Sequence, residues 1–129
     1  MKTPQEIVSH MLNLDTFSNW LGIEVLEVRT GYCKGQLTIR NEMLNGFHIA
    51  HGGIAYSLAD SALAFASNTY GIQCVSMETS ISHVLKVELN DVLIAEGMEV
   101  YRGKKTAIYE VRVQNQNNDL VALFKGTVF

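Results

Sequence analysis

Proline is nearly absent from these 129 residues. Its one occurrence, Pro4, lies at the start, so no later proline interrupts a helix or strand. Cysteine is scarce too. Cys33 and Cys74 form no CxxC pair, which removes the usual sign of a zinc ribbon or a redox motif. The opening MKTPQEIVSH lacks the apolar core of a signal peptide. The expectation is therefore a cytoplasmic chain with reduced, partly buried thiols. Charge is sparse at 18% of residues, and the formal net value of −3 argues against general nucleic-acid binding. It leaves room for an anionic ligand held by a few local cations. No apolar run reaches the ~20 residues of a membrane-spanning helix. The most apolar stretch, residues 54–66, is broken by Ser57, Asp60 and Ser61. Linkers, repeats, a serine nucleophile elbow, a Walker loop and metal-ligand spacings are all missing, so no metal and no cofactor is expected.

What is present is an apolar chain, 47% hydrophobic, of the length of one domain, 1–129. A small domain with spare apolar surface commonly covers it by oligomerising. Thr3-Pro4 with Glu6 signals a helix start, and Ile7, Val8, Met11 and Leu12 recur at helical spacing, which predicts an N-terminal helix ending near Phe17, within residues 1–18. Residues 22–29 alternate apolar and polar. After the turn at Thr30-Gly31 a second strand follows over 33–40, predicting a hairpin. His51-Gly52-Gly53 then opens the longest helical stretch, 51–71, rich in Ala and Ser and closed by Gly71. Beyond it lie four strand candidates, 74–84, 92–101, 106–114 and 120–128, the last three forming a meander. Strands segregated around one helix of small residues predict an α+β fold with an antiparallel sheet curled around that helix.

The chemistry concentrates in Asn45-Gly46-Phe47-His48-Ile49-Ala50-His51-Gly52-Gly53 and in Asp60. Two glycines before a helix allow close approach of a ligand to N–H groups that have no partner within the helix, at its partly positive end. Such a place suits a phosphate or a developing oxyanion; equally, the pair could serve only a tight loop. Asp60 lies two turns into an enclosed helix, where a carboxylate is costly unless paired or used. It is a candidate base or nucleophile, or a hydrogen-bonded structural aspartate. Asn45 and His51 flank the glycines and can donate to a carbonyl oxygen or hold a water. Phe47, Tyr56, Phe65 and Met77 are candidates to line an apolar pocket, or plain core. The turn Arg102-Gly103-Lys104-Lys105 is a compact positive spot on an acidic chain.

The segment Asn45-Gly46-x4-His51-Gly52-Gly53-x6-Asp60 resembles the signature of hotdog-fold acyl-CoA thioesterases, of the phenylacetate-pathway (PaaI-type) branch. The similarity extends from Trp20 through Gly71, Ser76, Asn90-Asp91, Gly103-Lys104 and Leu120-Val121-Ala122. The resemblance implies a long central helix wrapped by five to six antiparallel strands, with an extra N-terminal helix. It implies hydrolysis of acyl-CoA, with coenzyme A entering only as part of the substrate. Asp60 would be the carboxylate that attacks the thioester carbonyl or activates water, and the Gly52 N–H would bind the carbonyl oxygen. Asn45 and His51 would orient that carbonyl or the water, and Ser76 would help place the water. Since coenzyme A carries phosphates, Lys86, Arg102, Lys104 and Lys105 are candidate cations for it, along with Gly53 at the helix start, and the 102–105 turn is equally an ordinary solvated turn. The site would form between subunits of a homodimer, often doubled to a homotetramer, with Asp60 of one subunit facing the Gly52 loop of the other. No nucleic-acid or membrane partner is implied.

One region departs from the family. Relatives commonly carry an aromatic residue followed by Arg-Pro-x-x-x-Gly-Asp, where this chain has His83-Val84-Leu85-Lys86-Val87-Glu88-Leu89-Asn90-Asp91. The Arg is missing and Glu88 adds negative charge, which puts the usual phosphate contacts in question. Two alternatives use the same fold: an acyl-CoA binding module without turnover, which has no use for a desolvated carboxylate, and an acyl-CoA dehydratase, which needs a different Asp/His arrangement.

Overall fold

The computed structural model describes residues 2–129. Helix α1 (Pro4–Leu14) opens with a capping box: Thr3 Oγ1 accepts from the Glu6 N–H at 3.1 Å, and Glu6 returns the contact to the Thr3 N–H at 3.0 Å. The single helix expected to run to about Phe17 is instead split in two. Asp15 leaves helical geometry (φ −90°, ψ 89°), and its carboxylate accepts from the Ser18 N–H at 2.9 Å, which starts α2 (Thr16–Leu21). A carboxylate placed just before free N–H groups competes as a cap against continuation of the helix, and here the cap wins.

The expected hairpin forms from β1 (Glu24–Arg29) and β2 (Tyr32–Thr38). A short 3-10 turn and an irregular loop lead to α3 (Gly52–Asn68). After it come β3 (Ser76–His83), β4 (Val92–Arg102), β5 (Ala107–Gln114) and β6 (Leu120–Val128), the last three as a meander. All six strands join one antiparallel sheet in the order β1-β2-β4-β5-β6-β3. Helix α3 packs against β2, β4, β5 and β6. This is the hotdog fold.

Small residues bring the helix close to the sheet. Leu58, Ala59, Ala62, Leu63, Phe65 and Ala66 are buried against Leu93, Ala95, Tyr109, Val111, Val113 and Phe124. A Cβ placed on Gly97 would lie 3.4 Å from the Ala62 carbonyl oxygen, and one on Gly126 would lie 2.6 Å from Leu63 Cδ2. Glycine at 126 is thus favoured by close approach rather than by a turn. The helix ends at Asn68, short of Gly71, because the Asn68 side chain turns to the next segment. It accepts from the Cys74 N–H at 2.9 Å and donates to the Cys74 carbonyl at 3.2 Å.

The two sheet edges differ. Beside β1 stands α1, whose Gln5 Nε2 donates to the Val28 carbonyl at 2.9 Å. The other edge, β3, is largely exposed and carries neither proline nor lysine, the usual blockers of strand-to-strand association. Val75 and Met77 stand open at its start, and Val84 and Leu85 just past its end. Among the described residues, no helix is long and apolar enough to cross a membrane.

Substituting Gly126 with Ala should destabilise the protein by about 1–3 kcal/mol, because the fully packed Leu63 must move to admit the methyl group. Urea unfolding at constant m-value measures this.

Candidate active site

The helix start is built by capping. His51 is the N-cap of α3, with extended backbone (φ −60°, ψ 137°), and its Nδ1 accepts from the Gly53 N–H at 2.9 Å. Gly53 must be small for this, since a Cβ there would sit 3.0 Å from Nδ1. With Nδ1 as acceptor, the ring hydrogen of the neutral form belongs on Nε2. The Gly53 N–H is therefore occupied, whereas the Gly52 N–H meets no acceptor among the described residues. Of the two glycines, Gly52 is the one that presents a donor at the positive end of the helix.

The preceding loop is shaped by Asn45. Its Oδ1 accepts from the Phe47 N–H at 2.9 Å and the Ile49 N–H at 3.4 Å, and its backbone pairs with Ile49 at 2.8 Å. His48 takes a left-handed conformation (φ 62°) to close the turn. Asn45 Nδ2 remains a donor with no acceptor among the described residues. Asn45, His51 and Gly52 line a cavity of about 350 Å³ together with Ala55, His83 and Lys86. Lys86 lies 3.7 Å from Glu88, an exposed pair of little energetic weight.

Asp60 lies elsewhere. Eight residues of helix rise separate it from Gly52 by about 12 Å. It opens into a second cavity of about 230 Å³ with Ser67, Cys74, Ser76 and Val128. Its carboxylate has no hydrogen-bond or ionic partner among the described residues, and burial pushes its pKa above the ordinary carboxylate value. The neighbouring Ser61 holds the helix to α2: Ser61 and Ser18 hydroxyls are 3.0 Å apart, and Ser18 Oγ donates to Asp15 at 2.5 Å. Ser76 and Asp60 are thus brought together, and so are Asn45, His51 and Gly52, but the two groups are not joined within one chain.

The cationic turn is divided in its commitments. Arg102 stacks over the Tyr70 ring at 3.6 Å and lies 3.7 Å from Glu99. Lys104 and Lys105 form no ion pair among the described residues. They line a small cavity of about 110 Å³ that shares Cys74 and Val128 with the Asp60 cavity. Of the apolar candidates, Phe65 is core at 2% exposure. Tyr56 packs edge-on against Phe124 and hydrogen-bonds Thr79 at 2.5 Å. Phe47 and Met77 are open at 84% and 62%. Sequence reasoning does not single out His83, whose ring lies directly against Gly52: a Cβ there would be 3.4 Å from His83 Nε2. A strand's period tells which face a residue takes, but not which loop it meets.

The pattern of the thioesterase superfamily matches residues 47–122, more than half of the sequence. The chain belongs to the thioesterase superfamily. It is a thioester hydrolase by that membership and by its likeness to the acyl-coenzyme A thioesterase PaaI of Escherichia coli. The two are 34% identical over 90% of this chain and 83% of the relative. The structure of the E. coli PaaI protein from the phenylacetic acid degradation operon superposes with a TM-score of 0.95 at 31% identity, over 97% of this chain and 91% of that one. A hypothetical thioesterase protein from Streptococcus pneumoniae, solved with coenzyme A, superposes with a TM-score of 0.87 at 27% identity, over 93% and 94%.

The raised Asp60 pKa has a stability consequence. A carboxyl that holds its proton more tightly when folded makes the folded state less stable as pH climbs from the unfolded pKa, roughly 4, through the raised value. Asp60→Asn removes that loss. The variant should melt above wild type at neutral pH, and the difference should vanish in acid once Asp60 is protonated in both states. Thermal melts across pH check both parts.

Proposed function

We propose that this chain, acting as one domain over residues 1–129, hydrolyses acyl-CoA thioesters to the free acid and coenzyme A. The observation that carries the reading is the pairing of an unpartnered Gly52 N–H at the start of α3 with an unpartnered, desolvated Asp60 further along it. Thioester hydrolysis needs those two elements, a donor for the oxyanion and a base, and nothing else. In this reading Gly52 binds the carbonyl oxygen, with Asn45 Nδ2 and His51 Nε2 orienting carbonyl or water beside it. Asp60 acts as general base, since a raised pKa makes it the better proton acceptor. Water adds to the carbonyl carbon and its proton passes to Asp60. The carbonyl π pair moves to the oxygen held by Gly52. Collapse then breaks the C–S bond, and the sulfur leaves with the proton returned by Asp60. Ser76, beside Asp60, holds the water.

The site is composite in this reading. Ser76 at the start of β3 lines the Asp60 cavity and His83 at its end lines the Gly52 cavity, so the two cavities lie at opposite ends of one exposed edge strand. A two-fold axis pairing β3 antiparallel with its copy brings the start of each strand to the end of the other. Asp60 of one subunit then faces the Gly52 loop of its partner, and the exposed Val75, Met77, Val84 and Leu85 are covered. A dimer is the minimum, and a dimer of dimers fits the remaining apolar surface. Lys104 and Lys105, next to the Asp60 cavity and free of ion pairs among the described residues, take the coenzyme A phosphates. Arg102 and Lys86 take a smaller share because each already has an acidic neighbour. The coenzyme A bound by the S. pneumoniae neighbour supports this choice of carrier.

The test is free-thiol release from short, medium, long and aryl acyl-CoAs. Wild type should turn over part of the panel, and Asp60→Asn should lose turnover while still binding the substrates. Gly52→Pro removes the oxyanion N–H at the helix position that best tolerates proline, after a residue whose ψ already suits it. That variant should lose about 10²–10³-fold in kcat with little change in melting temperature. Binding of every panel member with no thiol release by wild type would reject hydrolysis.

A further inference from the structure

We propose that His83 is a second donor to the oxyanion. The inference rests on the thioesterase reading of the Gly52 site and adds a residue to it. His83 ends β3, where backbone pairing with Ala122 of β6 fixes its position. Its imidazole lies along Gly52. The nearest ring atoms to a Cβ built there are Nε2 at 3.4 Å, Cε1 at 3.5 Å and Cδ2 at 4.0 Å. The nitrogen-bearing edge is thus the edge turned to the helix start. It shares the 350 Å³ cavity with Asn45, His51 and Gly52. No protein hydrogen bond to either ring nitrogen exists among the described residues, so nothing else engages the ring.

One backbone N–H engages only one of an oxyanion's three lone pairs, so further donors can act on it. A side-chain N–H beside it strengthens the interaction as charge develops. Asn45 and His51 already orient the bound carbonyl or the water in the proposed reaction. Asn45 Oδ1 and His51 Nδ1 hold the loop and the cap, which restricts how their other ends can turn. The His83 ring is exposed and makes no hydrogen bond among the described residues, so it can turn its N–H toward the charge that develops beside Gly52.

The experiment compares wild type with His83→Phe and His83→Gln on the best acyl-CoA of the panel. Phenylalanine keeps the packing against Gly52 and removes the N–H, whereas glutamine restores an N–H donor. His83→Phe should lower kcat by at least about tenfold with KM nearly unchanged, because the contact forms only in the transition state. His83→Gln should recover most of that loss. In the Asp60→Asn background, adding His83→Phe should leave substrate affinity unchanged. Equal kcat for wild type and His83→Phe overturns the inference while leaving the thioesterase reading intact. A rise in KM or a weakened affinity without a fall in kcat also overturns it, since that marks a ground-state contact. Failure of wild type to release thiol would instead overturn the reading beneath it.

Discussion

Leu63 of α3 approaches Gly126 of β6 so closely that a Cβ there would displace it, and a Cβ on Gly97 would meet Ala62 at van der Waals contact. This seating of one helix in the hollow of the sheet is the constraint on which the other features depend. It fixes the helix axis relative to β3 and β6, and with it the directions in which Gly52 and Asp60 open. Because the helix cannot bend to bring them together, the donor and the carboxylate stay about 12 Å apart along its rise. A single thioester carbonyl cannot reach both within one chain, so the proposed reaction requires an assembly.

The same packing sets the electrostatics. No described residue hydrogen-bonds or pairs ionically with the Asp60 carboxylate, and partial burial alone raises its pKa. Cys33, enclosed on β2, is pushed up to about 12 by the same cause. At the start of the helix the environment is reversed. The N-terminus gathers donors and a lysine around the Gly52 N–H, which favours negative charge. In the proposed reaction one helix thus supplies the base at mid-length and the oxyanion donor at its start.

Much of this was legible in the residues. Alternation in β2 and the final meander reported the strands because each has one more buried face, whereas β1 is only half-buried at Val25 and Val28 and carries a bulge between Val25 and Glu27. The glycine pair before a run of Ala and Ser reported the start of α3. The segment from Asn45 to Asp60 held most of the candidate residues. Three things were not legible, each for a physical reason. The break at Asp15 is a local contest between a cap and a helix, which helical spacing does not register. The pairing of β3 with β6 joins strands far apart in sequence, which alternation cannot assign. The unequal fate of Gly52 and Gly53 depends on which N–H the His51 ring reaches, a matter of small differences in distance. His83 stayed out of view because it meets Gly52 only through that long-range pairing.

The central claim is that each site takes its donor from one subunit and its base from another. Co-expressing Asp60→Asn with Gly52→Pro, each chain bearing a different tag, allows heterodimers to be isolated by two affinity steps. Each variant alone should be nearly inactive. The heterodimer joins one doubly damaged site to one intact site, so its thiol release should recover to about half of wild type per dimer. A heterodimer as inactive as its parents would contradict the account and place donor and base in the same chain.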